Sequence, residues 1–572
     1  MARTAPWRGV VEGYYGRPWP GAARRDVIRF LAARGMNAFV YGPKHDPWHR
    51  ARWREPYPDA MLADLAATAA VARASGVRFV WAIGPALDVR WSSVDDEAAL
   101  CAKLAQMAAA GIPDAALFFD DVPEALTSPA DVDRYGGSDA AAVGRAHADL
   151  ANRVQRWLLG RGQPGVACLV PSDYTGTSPT PYLAALGAGL APGVPVGWTG
   201  PAVLATTIDA AAARARRDAT GGHPIALWDN YPVNDVVLAN SLHLGPLTGR
   251  DPALPAELDS YLLNPMRQPY ASLVALATAA DYLRDPAAYD PESSWHDTLA
   301  ALDGGGGLGV LAGQLRSSAL AAPDYVDARE LAAAVDRLAT TWPGPDWPHA
   351  LDALEHELRR QAAASGTLAV TLRGTPLGEE IAPWAAELAA HAAQGLEAAA
   401  LLRALRPRIV ELVRERGMVR GRALPPDAGR AARLGPRFAD PPAPPDLATY
   451  LSALGDFLGP DPALPAALGL NVHGKRFYLV PRSLTGIDVV SGRNVHDRFL
   501  GFVAEAWRRR GGPPGGAPGG APGGAPVPLS LEAGGRRWPL DDDGRFAVPC
   551  GPGPLRLVAA TPDGAATAVV VT

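Results

Sequence analysis

Lysine is nearly missing from this chain. Only Lys44, Lys103 and Lys475 occur in 572 residues, and asparagine occurs eight times, at Asn37, Asn152, Asn230, Asn234, Asn240, Asn264, Asn471 and Asn494. Alanine, arginine, proline and glycine are abundant instead. A lysine or asparagine kept against such a bias points weakly to a position where side-chain geometry matters. Four of the eight asparagines fall between residues 230 and 264. Cysteine is also scarce: Cys101, Cys168 and Cys550 are odd in number and far apart, which supports neither a disulfide framework nor a CxxC metal site. No sign of charge dominates. With 54 basic and 59 acidic residues the net charge is −5, which gives no general reason to expect nucleic acid or a membrane surface as partner. No stretch is long enough to span a bilayer. The opening MARTAPWRGVVEGYYGRPW lacks the apolar run of roughly 7–15 residues that marks a signal peptide, so a cytoplasmic location is expected.

What the chain does have is hydrophobic residues, at 48%, enough for a large core and several domains. Short apolar runs alternate with helical patterns from the start. The runs are Gly9–Tyr15, Asn37–Gly42, Val77–Gly84, Ala115–Asp120, Gly165–Val170, Val194–Thr199, Pro224–Trp228 and Tyr261–Asn264. Most are continuously apolar, the pattern of buried parallel strands. Helical segments are expected at Gly21–Arg34, Pro58–Ser75, Asp95–Ala110, Asp139–Leu159 and Pro201–Arg217, with a closing helix at Tyr270–Arg284. Eight strands with crossovers match a (β/α)8 barrel in size and rhythm. A doubly wound open sheet is the alternative, weakened because the first strand–helix turn lacks the Rossmann fingerprint.

The expected division is a catalytic barrel over residues 1–290, a mostly helical domain over 291–510, a Gly/Pro-rich linker over 511–526 and a small β module over 527–572. Within the helical part, Asp327–Thr341, Trp347–Ser365 and Gly378–Leu405 carry the helical pattern. Residues 475–490 contain strand-like stretches, and Asn494–Arg509 reads as a helix. Gly304-x-Gly306-x-x-Gly309 fits a dinucleotide pattern by letter, but it follows a helix inside a glycine run and reads as a linker. The three GGAP repeats at Gly515–Pro526 form a flexible tether.

In a barrel, chemistry belongs at the C-terminal ends of the strands, and here those ends are rich. LFFDDVPE, at Leu117–Glu124, drives an apolar strand into two adjacent carboxylates, Asp120 and Asp121. Burying ionised carboxylates is costly unless they are paired, bonded or used. Other strand ends deliver GVVEGYYGRPW, YGPKHDPWHR, PSDYTGT and LWDNYPVND. Aromatic walls with carboxylates and amides suit a sugar, whose ring faces stack and whose hydroxyls need fixed partners. His45 and His49 lack evident co-ligands for a metal. Asp229 points opposite to its strand neighbours and reads as a structural bond partner. Glu124 is a weaker alternative acid. Trp19, Trp48 and Trp53 read mainly as loop packing.

Together GVVEGYYGRPW, YGPKHDPWHR, LFFDDV and LWDNYPVND resemble the catalytic domain of glycoside hydrolase family 84, over about residues 6–300. The resemblance implies a β-N-acetylglucosaminidase acting on N-acetylglucosamine-containing glycans or glycoproteins, without a cofactor or metal. It also implies retaining hydrolysis in which the substrate's own 2-acetamido oxygen is the nucleophile, an exception to the two-carboxylate scheme. By the same carry-over, Asp120 would orient the acetamide nitrogen, and Asp121 would act as general acid and then base. Gly13 would approach the sugar with its backbone, Lys44 would bond hydroxyls, Tyr174 would bond the acetamide oxygen, and Trp228 would wall the acetyl pocket. Asn230, Asp235 and Asn264 would hold the sugar. An endo-acting hydrolase of hyaluronidase or chitinase type, or a barrel that binds N-acetylhexosamine without turnover, are the competing readings.

The tether generates a first prediction. Deleting residues 511–572 leaves turnover of small aryl N-acetylglucosaminides unchanged, because a Gly/Pro linker transmits no fixed geometry. A large loss of turnover with folding intact, followed by chromogenic assay and circular dichroism, would instead place the module on the site.

Overall fold

The computed structural model describes residues 6–415, apart from 123–124, 239–240, 304–305, 319, 323–327 and 342–345, together with 529–533, 536–539, 555–560 and 566–571. Eight parallel strands close into a barrel in sequence order. They are β1 (Trp7–Glu12), β2 (Ala38–Tyr41), β3 (Arg78–Ile83), β4 (Ala115–Phe118), β5 (Leu169–Val170), β6 (Val196–Trp198), β7 (Ile225–Asp229) and β8 (Ser260–Leu263). Closure is made by β1 pairing with both neighbours: Gly9 lies opposite Ala38 of β2 and Leu262 of β8. All eight strands fall within or beside the apolar runs.

The continuous apolar character of those runs has a simple cause. Residues two apart on each strand face the axis. Val11, Ala38, Val40, Val80, Ala82, Ala116, Phe118, Cys168, Val170, Ala226, Trp228 and Leu262 pack there as one buried cluster. The alternate set, including Val10, Phe39, Phe79, Trp81, Leu117, Phe119, Leu169, Leu227 and Tyr261, is buried too, on the side that the crossover helices cover. Both cysteines described are free and buried, and burial pushes the Cys168 thiol up to about 12; neither suits nucleophilic chemistry.

The crossover helices are α1 (Gly21–Ala33), α2 (Asp59–Ala74), α3 (Val94–Ala109), α4 (Pro129–Tyr135), α5 (Ala140–Leu159), α6 (Pro181–Gly189), α7 (Ala210–Ala219) and α8 (Leu273–Arg284). Helix α7 begins nine residues later than the expected Pro201, because Asp209 caps it, accepting from the Ala212 amide at 2.7 Å. Residues 201–209 stay in a loop anchored by the Ile208–Arg250 bridge. Helices α4 and α6 were not anticipated. The α6 segment, PYLAALGAG, has two glycines and no polar stripe to signal a helix, yet Thr180 caps it by accepting from the Leu183 amide at 3.1 Å.

Buried charge holds the rim. Glu12 receives Arg24 at 2.6 and 3.0 Å and the Trp19 amide at 2.9 Å, which shapes the loop after β1. Asp46 accepts from the hydroxyls of Tyr41 and Tyr57 at 2.8 and 2.6 Å and from the Trp48 and His49 amides, which shapes the loop after β2. Asp229 is a bond partner, as its strand position indicated. It takes two bonds from Arg250, at 2.7 and 2.8 Å, and one from the Tyr261 hydroxyl at 2.6 Å.

A second compact unit begins at Trp295. After α9 (Pro291–Asp303), its helices are α10 (Gly307–Gly313), α11 (Arg329–Thr341), α12 (Trp347–Thr371) and α13 (Pro376–Glu415). Helix α12 packs along α10, α11 and α13, and Arg403 of α13 reaches Glu355 of α12 at 2.8 Å. Of the glycine run expected as a linker, Gly304 and Gly305 lie outside the described residues, while Gly306, at φ 82°, is the N-cap residue of α10 and Gly307 its first residue. Among the described residues no helix is long and apolar enough to cross a membrane. Strands β9 (Leu529–Ala533), β10 (Arg536–Pro539), β11 (Leu555–Ala560) and β12 (Ala566–Val571) form an antiparallel sheet in the order β10-β9-β11-β12. The segments at 475–490 and 494–509 and the GGAP tether lie outside the described residues.

The Asp229–Arg250 pair yields a stability prediction. Both side chains are 1% exposed, and Arg250→Met leaves a buried carboxylate without its counter-ion, a loss of about 3–5 kcal/mol. Urea denaturation should show a lower midpoint at unchanged slope. A change under about 1 kcal/mol, the range typical of exposed pairs, would show the pair to be idle.

Candidate active site

The site grows from the end of β4. The ladder continues one residue past the strand, with the Phe119 amide donating to Val170 O at 2.8 Å. Two residues later the backbone turns: Asp121 has φ 55°, the left-handed region that few residues other than glycine adopt and that Asp tolerates better than most. In an extended strand the two carboxylates would point to opposite faces. The left-handed turn is what lets both serve one site. The break thus falls at Asp121 itself, rather than after the pair at Pro123. Pro123 and Glu124 lie outside the described residues.

The two acids have different partners. Asp120 is 8% exposed and its Oδ2 is ion-paired with Lys44 Nζ. Its other oxygen, Oδ1, is buried with no hydrogen-bond partner. Lys44 sits over the rings of Phe118 and Trp228, 5.6 and 5.7 Å from their centroids. Burial lowers the Lys44 ammonium below its usual range, and the Asp120 charge opposes that shift. Asp121 instead accepts from the Tyr15 hydroxyl at Oδ2, 2.6 Å, and from the Tyr174 hydroxyl at Oδ1, 2.9 Å. Arg50 donates to the Asp121 carbonyl at 2.8 Å and to the Tyr15 hydroxyl oxygen at 3.1 Å.

Trp228 forms the opposite wall. Its ring packs on Phe118, centroids 5.2 Å apart, and its Nε1 donates to Asn230 Oδ1 at 2.9 Å. Gly13 explains itself here, since a Cβ at this position would lie 2.2 Å from the Trp228 ring. Glycine lets the first loop close over the indole. The Asn230 and Asn264 amides are 3.1 Å apart, and Asn230 also donates to Val203 O at 2.9 Å. Asp235 Oδ2 accepts from the Tyr15 amide at 2.7 Å. Burial pushes the Asp235 carboxyl up to about 6, with that amide opposing the shift and the Asp121 charge adding to it. Part of its surface stays exposed, while protein crowds it elsewhere.

The nine residues picked from the sequence therefore meet at one end of the barrel. Lys44 is bonded to Asp120 and Tyr174 to Asp121, so both touch the acids as well as facing the site. Tyr15 and Arg50 were quoted in the strand-end loops but not selected; Tyr15 stands between two aromatic or glycine neighbours in GYYG, and nothing in WHR singles out its arginine. His49 is buried, with Nδ1 2.7 Å from Ala82 O, and burial drives its imidazole down to about 3. His45 lies edge-on to Tyr15 at 6.1 Å. Among the described residues no three His, Cys, Asp or Glu side chains gather to hold a metal. Trp19 and Trp53 are buried packing residues that donate to Met266 O and Asp88.

Against known proteins, the model for the beta-N-acetylglucosaminidase family matches residues 8–314, more than half of the chain. The chain belongs to this family. The protein O-GlcNAcases of Rattus norvegicus and Mus musculus are each 33% identical to it over 282 residues, 48% of this chain. The match spans only 30% of the length of those relatives. A solved O-GlcNAc hydrolase mutant from Thermobaculum terrenum superposes with a TM-score of 0.64 at 28% identity, covering 70% of this chain and 85% of that one. The matched family region takes in all of the barrel strands but the first residue of β1, and every residue of the site.

Asp235 provides a pH test within the family site. Its folded value near 6 lies above the ordinary 3.8, so the native state binds the proton more tightly than the unfolded chain. Its contribution to stability is therefore present at low pH and lost as pH rises from about 4 to about 6. Asp235→Asn removes the penalty while keeping an acceptor for the Tyr15 amide. The variant's melting temperature should gain on the parent's across that window and plateau above it. A difference that stays flat from pH 4 to 7 would contradict the assignment.

Proposed function

We propose that this barrel is a retaining, exo-acting β-N-acetylglucosaminidase that removes terminal β-linked N-acetylglucosamine by substrate-assisted catalysis. The observation that carries the reading is Asp120: one oxygen ion-paired with Lys44, the other buried and unpartnered. An unsatisfied buried acceptor costs about 1–3 kcal/mol, and a substrate amide N–H is a donor that would satisfy it. A carboxylate tied to an ammonium is poorly suited to attack carbon, but well suited to polarise an N–H.

In the first step the acetamido carbonyl oxygen forms a bond to C1 as the bond from C1 to the aglycone oxygen breaks. Asp121 gives its proton to that oxygen, and Asp120 stabilises the charge developing on the amide nitrogen. In the second step water adds to C1, the C1–oxazoline oxygen bond breaks, and the water proton passes to Asp121. Two inversions give net retention. Tyr174 is the proposed partner of the acetamide oxygen, Trp228 the wall of the acetyl pocket, and Asn230, Asp235 and Asn264 the sugar's anchors. Lys44, beside Asp120, also lies within the reading as a hydroxyl donor to the sugar. The names of the two rodent relatives favour protein-linked N-acetylglucosamine as substrate.

Release of chromophore from an aryl N-acetyl-β-glucosaminide is the direct test; no release at any pH from mildly acidic to neutral would leave only a binding barrel. Oligomers shortened from one end by single sugars separate exo from endo action. The nucleophile is tested by progressively fluorinated N-acetyl groups, each fluorine weakening the carbonyl oxygen. The rate should fall steeply along the series, and Asp120→Asn should flatten the slope. A rate indifferent to fluorine, or an ester trapped on either Asp, would overturn the mechanism.

A further inference from the structure

We infer that Arg50 is a positioning residue for the general acid, gripping Asp121 by its backbone and, through Tyr15, by its carboxylate. The inference rests on the proposed role of Asp121.

Asp121 stands in a left-handed conformation at φ 55°. Backbone held in such a region costs about 1–3 kcal/mol and persists only where its surroundings over-determine it. The surroundings here are specific. One guanidinium nitrogen of Arg50 donates to the Asp121 carbonyl at 2.8 Å, and another donates to the Tyr15 hydroxyl oxygen at 3.1 Å. That hydroxyl spends its own proton on Asp121 Oδ2 at 2.6 Å. The fork, the phenol and the carboxylate thus close a ring around one residue. Tyr15 is fixed independently, since its amide donates to Asp235 at 2.7 Å. Arg50 is itself 7% exposed, and its loop is pinned by the Asp46 acceptors and by the Gly84 amide bonding His49 O at 2.9 Å. Its guanidinium bonds run to the acid and to the phenol that orients it.

The geometry needs the fork rather than the charge. Two donors in one rigid plane reach a carbonyl and a phenol oxygen together; a lysine ammonium is a point charge on a flexible stem and cannot reproduce that plane. Without the fork the residue is free to leave the left-handed region, and its carboxyl moves with it. A displacement near 1 Å at a reacting group costs about 10²-fold.

The experiment compares Arg50→Gln, Arg50→Lys, Tyr15→Phe and Asp121→Asn on two N-acetylglucosaminides, one with an activated aryl leaving group and one with an alkyl leaving group. Asp121→Asn sets the scale, because general acid catalysis contributes about 10²–10⁴-fold and only the poor leaving group needs it. Arg50→Gln should lose about tenfold to a hundredfold in kcat on the alkyl glycoside. On the activated one it should lose about threefold or less, with KM unchanged on both, since the sugar's anchors are untouched. Arg50→Lys should behave like Arg50→Gln. Tyr15→Phe, which keeps the ring and deletes one link, should show the same selectivity at smaller size. It also serves should the arginine variants fail to fold by circular dichroism. Rescue by Arg50→Lys would overturn the fork and leave a charge effect. Equal losses on both glycosides, or a loss confined to KM, would overturn the positioning role while Asp121→Asn remained selective. If Asp121→Asn itself shows no selectivity, the general-acid reading falls and takes this inference with it.

Discussion

A lysine ammonium and an aspartate carboxylate, both nearly removed from water at the mouth of the barrel, set the conditions for everything around them. Desolvating two charges costs more than their attraction returns unless the geometry is good and the remaining donors and acceptors find partners. Lys44 meets part of that demand with the ring faces of Phe118 and Trp228, each under 6 Å from its nitrogen. Asp120 leaves its own demand open at Oδ1. Such an arrangement is a poor way to stabilise a fold, since an apolar pair of similar volume would do better. It is a good way to hold a fixed negative charge ready for a donor that arrives from outside.

The rest of the site is arranged so that this pair can exist. Trp228 belongs to the buried cluster of the barrel interior, where it packs on Phe118 and where Val11, Ala116, Cys168 and Ala226 are smaller members. Gly13 must lack a side chain so that the first loop can close over the indole. Asn230 must turn its carbonyl to the indole nitrogen, which fixes where its amide and that of Asn264 lie. One charged pair therefore propagates constraints around the barrel mouth through packing and single hydrogen bonds.

Much of this could be read from the residues. Buried parallel strands announce themselves because both faces are apolar, and each of the eight runs held a strand. The rarity of lysine and asparagine brought Lys44, Asn230 and Asn264 forward for a physical reason, since an amide or a compact ammonium has no substitute at those contacts. What could not be read depends on conformation and on residues distant in sequence. Nothing in LFFDDV states that the second aspartate turns left-handed. The start of α7 is set by the Asp209 cap and by a bridge from Ile208 to Arg250, 42 residues further on. Arginine is common in this chain, so Arg50 carried no compositional mark; its partners lie 35 and 71 residues away.

The loop after β2 supplies both cations that face the acids, and it uses different chemistry for each. Lys44 presents a single charge to Asp120 inside an aromatic cage, where an ammonium fits between ring faces and a planar fork would not. Arg50 presents a plane of donors to a carbonyl and a phenol, where only a fork can satisfy both. Six residues apart, the two side chains are set by one buried anchor, Asp46, which accepts from four donors of the surrounding loop and barrel. Asp120 and Asp121 are adjacent in sequence but meet different partners. One is held by an ion pair, the other by hydrogen bonds to its carboxylate and its carbonyl. The mechanism proposed above asks one carboxylate to remain an anion and its neighbour to pass a proton back and forth, and the different cation that each acid meets supports that division.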